Sequence, residues 1–70
     1  MTDIKIQPSS NIAAVSWYPE SGRLIVAFHS GAVYAYDSVP ESVAMGFTAS
    51  SSAGEYLARH IKGRYSYEKV

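Results

Sequence analysis

The sequence predicts an α+β fold: a three-stranded antiparallel β-meander followed by two short α-helices packed on one face. Three observations predict it. Apolar residues alternate with polar ones up to Asp37, turn residues stand between the alternating runs, and from Val39 onward the apolar spacing lengthens to about 3.6 residues. The chain has 70 residues, enough for one domain. Its ordered part is expected over residues 10–70, after a segment 1–9 that reads as an N-terminal tail or a short edge strand. In that segment Ile4 and Ile6 alternate with polar residues before Pro8-Ser9-Ser10 interrupts the run, which favours the tail.

The first strand is Asn11-Ile12-Ala13-Ala14-Val15-Ser16-Trp17-Tyr18, with Ala13, Val15 and Trp17 on one face. Pro19-Glu20-Ser21-Gly22 then makes a turn, because proline presets φ and glycine accepts the left-handed closing position. Residues 23–29 alternate again, with Leu24, Val26 and Phe28 together. Pairing Tyr18 with Arg23 sets Trp17 against Leu24 and Val15 against Val26, so the two apolar faces coincide.

Ser30-Gly31 marks a second turn before a third strand at residues 32–37. A plain two-residue turn would place Val33 and Ala35 on the core side. One extra residue at Gly31 would place Tyr34 and Tyr36 there instead, and their larger apolar area favours this bulged register.

Pro40 suits the start of a helix, and Glu41 complements the positive end of its dipole. Val39, Val43 and Phe47 share one face of that helix, which Gly46 and the run of small residues from Thr48 to Ser52 keep short. Ser52 followed by Glu55 has the spacing of a capping box. The helix it opens buries Ala53, Leu57 and Ile61 and stops at Gly63. Tyr65 and Tyr67 alternate in an extended tail expected to lie on the sheet or the second helix.

Composition narrows the function. There is no cysteine, so no disulfide staples the fold, and two histidines alone make a structural zinc site an unsupported choice. Stability must come from apolar burial, which a hydrophobic content of 47% allows. No apolar run approaches the roughly 18 residues of a membrane span, and the N-terminus lacks the regions of a signal peptide. A soluble, cytoplasmic protein is expected.

The formal net charge of zero argues against a strongly electrostatic nucleic-acid binder. Charge is uneven, however. Asp3, Glu20, Asp37 and Glu41 outnumber Lys5 and Arg23 in residues 1–54, whereas Arg59, Lys62, Arg64 and Lys69 outnumber Glu55 and Glu68 afterwards.

Several pieces in this order resemble the KTSC domain, a short module named for its place at the C-terminal end of some lysyl-tRNA synthetases and also found as single-domain proteins of bacteria and phages. Tyr34-Ala35-Tyr36 is similar to the family's Tyr-x-Tyr element. Around it stand Ser10-Asn11-Ile12, Leu24-x-Val26-x-Phe28, Gly31-Ala32-Val33, Val39-Pro40 and, at the end, Ile61-Lys62-Gly63-Arg64-Tyr65. The resemblance spans residues 9–69. It implies no settled function, and the synthetase context implies contact with RNA.

Candidate site residues follow from these readings. Tyr34 and Tyr36 offer rings on which unpaired bases could stack; the same rings would serve equally as core. Arg59, Lys62, Arg64 and Lys69 could neutralise phosphates in a weak, salt-sensitive contact. Cations at a helix C-terminus and a Glu55–Arg59 pair have a purely structural reading too. His29 and His60 have no identifiable catalytic partner. No Gly-x-Ser-x-Gly elbow or glycine-rich phosphate loop occurs, so no enzyme and no cofactor are expected. The alternative to an RNA-binding module is a protein–protein adaptor or homodimer, since two short helices leave sheet surface uncovered.

Overall fold

The four residues between Tyr18 and Arg23 turn the chain as the sequence indicates. Gly22 donates to the Tyr18 carbonyl at 2.8 Å with φ of +75°. In the computed structural model, which describes residues 1–70, this turn joins β2 (Ile12–Tyr18) to β3 (Arg23–Phe28). The register has Tyr18 opposite Arg23, Trp17 opposite Leu24 and Val15 opposite Val26, the pairing that brings the two apolar faces together.

The expectation for Ala13 is corrected. The ladder shifts between Ile12 and Ala14, which leaves Ala13 exposed and turns Ile12 into the core. A bulge that exchanges a methyl group for an isoleucine side chain buries more apolar area.

The turn after β3 is the bulged one. Phe28 N–H bonds to Ala32 O at 2.8 Å, Gly31 takes φ of +98°, and β4 (Val33–Tyr36) pairs Tyr34 with Val26 and Tyr36 with Leu24. Both tyrosines therefore stand on the core side.

The sheet is larger than the three-stranded meander. It has five antiparallel strands in chain order, because both ends of the chain add an edge strand. β1 (Thr2–Ile4) pairs with β2 and buries Ile4, so the N-terminal segment is an edge strand rather than a tail. β5 (Tyr67–Lys69) pairs with β4, setting Tyr67 opposite Tyr36 and Lys69 opposite Tyr34.

The helices cover one face. α1 (Glu41–Ala49) begins after Pro40 and buries Ala44 and Phe47, while Val43 lies at the margin. Gly46 is required by close approach: a Cβ there would come within 2.0 Å of the Tyr56 hydroxyl. That hydroxyl donates to the Val43 carbonyl at 2.6 Å, and the Tyr56 ring packs 4.6 Å from that of Phe47.

α2 (Ala53–Tyr56) is capped by the Ser52 hydroxyl, which accepts from Glu55 N–H at 3.2 Å. It runs on into a π-helical turn, Leu57–Ile61, instead of ending as a uniform α-helix. Lys62 N–H reaches back to Leu57 O at 2.9 Å, so the turn takes up an extra residue before Gly63 breaks it with φ of +77°.

Ile4, Ile12, Val15, Trp17, Leu24, Val26 and Tyr36 meet Val39, Ala44, Phe47, Ala53, Leu57 and Ile61 in one core. The buried Trp17 indole is satisfied by the Val39 carbonyl at 3.0 Å. No helix is long and apolar enough to cross a membrane.

Candidate functional site

A row of aromatic rings runs along the β3–β5 side of the sheet. Because Phe28, Tyr34, Tyr36 and Tyr67 occupy core-side positions on β3, β4 and β5, their rings meet one another. Phe28 and Tyr34 pack edge to face at 5.7 Å, as do Tyr34 and Tyr67, while Tyr67 and Tyr36 lie tilted at 5.5 Å. An open cleft of about 510 Å³ is lined by these rings together with Ser30, Ala32, Lys62 and Gly63. That volume lies within the range of small-ligand sites, about 300–1,000 Å³.

The rings differ in what they can offer. Tyr36 is 2% exposed and belongs to the core, so it has no open ring face for a ligand. Burial raises its pKa above the ordinary phenol value, and the neighbouring phenols of Tyr67 and Tyr34 add to the rise. Its hydroxyl therefore stays protonated and remains a hydrogen-bond donor. Tyr34 is half-buried against the core. Tyr67, 61% exposed, supplies the open ring face.

The candidate cations have different neighbours. Lys62 is exposed and lines the cleft, placed there by the π-turn and the break at Gly63. Arg59 pairs with Glu55 at 3.6 Å, and Arg64 Nε donates to the Arg59 carbonyl at 3.2 Å, capping the helix end. Lys69 stands opposite Tyr34 in the ladder. The structure thus gathers Tyr34, Tyr36 and Lys62 around one cleft, with Lys69 at its strand edge and Arg59 and Arg64 tied into the helix end.

Tyr67, Phe28 and Ser30 complete the cleft and were not among the sequence candidates. The Tyr65/Tyr67 alternation, read as a strand, would have found Tyr67; nothing local marks Ser30.

On the opposite face, Arg23 ties three strands together. It pairs with Asp37 at 3.4 Å and donates to the Glu68 carboxylate on β5. Its Nε, sealed from solvent, is the atom that faces the Asp37 carboxylate.

A meander of five strands roofed by two helices, with an aromatic cleft on its β3–β5 side, defines a small α+β module of a recurrent kind. The KTSC domain model matches residues 8–65, and the chain belongs to the KTSC domain family. A KTSC domain protein from Yersinia pestis, known from its crystal structure, superposes with a TM-score of 0.87 at 27% identity, over 94% of this chain and 93% of that one. An uncharacterised protein from Stutzerimonas stutzeri is 32% identical over 89% of each chain. A lysine–tRNA ligase from a Nostoc species is 34% identical over 87% of this chain but only 11% of its own length, so this chain corresponds to a small part of that protein.

Proposed function

We propose that this KTSC domain is a non-catalytic module that binds unpaired RNA through the cleft between Tyr67 and Lys62. The observation that carries the reading is their juxtaposition: a tyrosine ring open to solvent and a lysine line the same cleft. A ring of this kind stacks on any base, a contact worth about 1–3 kcal/mol, and an ammonium group attracts the adjoining phosphate. That a lysine–tRNA ligase contains a matching segment supports RNA as the polymer.

Few cations adjoin the cleft, so binding is weak. With two or three phosphates neutralised, log K should fall with log[salt] at a slope of about −1.4 to −2.1. The test is fluorescence anisotropy of a labelled single-stranded RNA at two salt concentrations. Tyr67→Ala should weaken binding about 5- to 150-fold, and Lys62→Glu should weaken it and flatten the salt slope. Binding indifferent to both changes removes the reading.

A second reading rests on the other face of the sheet. Ile25, Ala27 and Val33 lie half-buried there, opposite the helices, beside a fully buried Ala35. That apolar strip suits a protein partner or a second copy of the chain. Light scattering that gives a monomer at high concentration would count against the homodimer form.

A further inference from the structure

A second cleft, of about 270 Å³, adjoins the aromatic one and shares Phe28, Ser30 and Lys62 with it. Its character differs. Ser10, Asn11 and His29 line it, so a polar compartment and an aromatic one meet at a single cation.

The polar compartment is built rather than incidental. Ser9 Oγ accepts from the backbone N–H groups of Asn11 and Ile12, both at 3.1 Å. His29 N–H bonds to Asn11 O at 2.9 Å, and His29 Nε2 donates to the Ser9 carbonyl at 2.9 Å. A carbonyl only accepts, so that ring nitrogen carries the proton. These bonds pin the loop through its backbone, Ser9 and the His29 ring, leaving the side chains of Ser10 and Asn11 to the cleft. No aspartate or glutamate lines either compartment, whereas Lys62 lines both.

From this arrangement we infer that the unit the domain recognises is one phosphorylated nucleotide. The base enters the aromatic cleft, the phosphate sits at Lys62, and the sugar–phosphate side extends into the polar cleft, where Asn11 and Ser10 hydrogen-bond to it. Asn11 is a specificity residue on this account, since its amide group donates to an anion and an aspartate there would repel one. The inference rests on the reading of the aromatic cleft as an RNA site and adds a phosphate requirement to it. A free mononucleotide and a residue within an RNA chain present the same chemistry, and the experiment separates them.

The experiment is an amide chemical-shift titration of the labelled protein with adenosine, with adenosine 5′- and 3′-monophosphates and with a single-stranded RNA, repeated on Asn11→Asp and Tyr67→Ala. One of the monophosphates should bind roughly tenfold tighter than adenosine, with shifts at Asn11, His29 and Lys62. Asn11→Asp should remove most of that preference while adenosine binding persists. Tyr67→Ala should weaken nucleoside and nucleotide by the same factor. Tighter binding of the RNA than of either monophosphate would mark the polymer as the physiological source of the same unit.

RNA binding with no preference for a monophosphate over adenosine would overturn this inference and leave the RNA reading standing. So would a preference unchanged in Asn11→Asp. No shift in either cleft with mononucleotide or RNA would overturn both.

Discussion

β3 and β5 lie in the same sheet, separated only by β4, yet they hold their side chains in opposite conditions. β3 has a strand on each side and helices above, and its Leu24 and Val26 are 0% exposed. β5 has one neighbour, and all three of its residues are exposed, Tyr67 at 61%. Apolar groups in the first position contribute their full transfer free energy to folding. An aromatic in the second contributes little, and its ring stays available to something outside the chain. Position in the sheet, more than residue type, divides the side chains that hold this domain together from those that can bind.

The contrast is sharpened most by truncating one residue from each strand. Leu24→Ala should cost about 2–5 kcal/mol, through lost transfer free energy and a cavity that close packing cannot fully collapse. Tyr67→Ala should cost about 1 kcal/mol or less, the worth of exposed edge-to-face ring contacts, while weakening RNA binding as above. Urea denaturation of both variants measures the difference. Comparable losses would mean that β5 belongs to the folding core and would break the division.

Gly46 extends the comparison to the helix layer, where the fit is tightest. A methyl group there meets the Tyr56 hydroxyl at 2.0 Å and its ring carbon at 2.6 Å. Gly46→Ala would force Tyr56 out of its bond to Val43 O and its packing on Phe47, offsetting the better helix propensity of alanine. A net destabilisation of about 1–2 kcal/mol is expected. In a Tyr56→Ala background the same substitution should instead stabilise, since only the propensity gain is left. If Gly46→Ala is neutral on its own, the packing around Tyr56 is looser than that of β3.

Much of the centre of the molecule was legible in the sequence, and the periphery less so. The β2–β3 register follows from burial, because only one pairing brings Val15, Trp17, Leu24 and Val26 to the same side. The bulged turn at Gly31 follows from the larger apolar area of Tyr34 and Tyr36. The edge strands were harder to see. Three residues of alternation at Thr2–Ile4 or Tyr67–Lys69 look like tails until a partner strand is present, and their stability comes from that partner. Ala13 was misassigned for a related reason: alternation counted along one strand cannot reveal a bulge set by its neighbour. Of the cleft, Tyr34, Tyr36 and Lys62 were visible as residue types, but their convergence depends on β5 and on the π-turn after Tyr56. Neither leaves a local pattern.

Tyr36 belongs to both regions, and alkaline pH should expose that double membership. Its ring lies in the core, while its phenol adjoins those of Tyr67 and Tyr34 at the cleft, and its pKa is raised first by burial and then by those two neighbours. The folded chain therefore holds the Tyr36 proton more tightly than the unfolded chain, whose phenols ionise near pH 10. Stability is fully present below that value and is lost as pH rises through the raised folded pKa. Tyr56, also raised by burial and then by Tyr65, adds to the same loss. Urea midpoints measured across the alkaline range should fall steeply for the native chain and less steeply for Tyr36→Phe, which has no proton to lose. Tyr67→Ala should fall between them, because it removes one of the two neighbouring charges but leaves the burial. A Tyr36→Phe variant that loses stability as steeply as the native chain would show that the cleft end of this ring is open to water, placing Tyr36 with β5 rather than with β3.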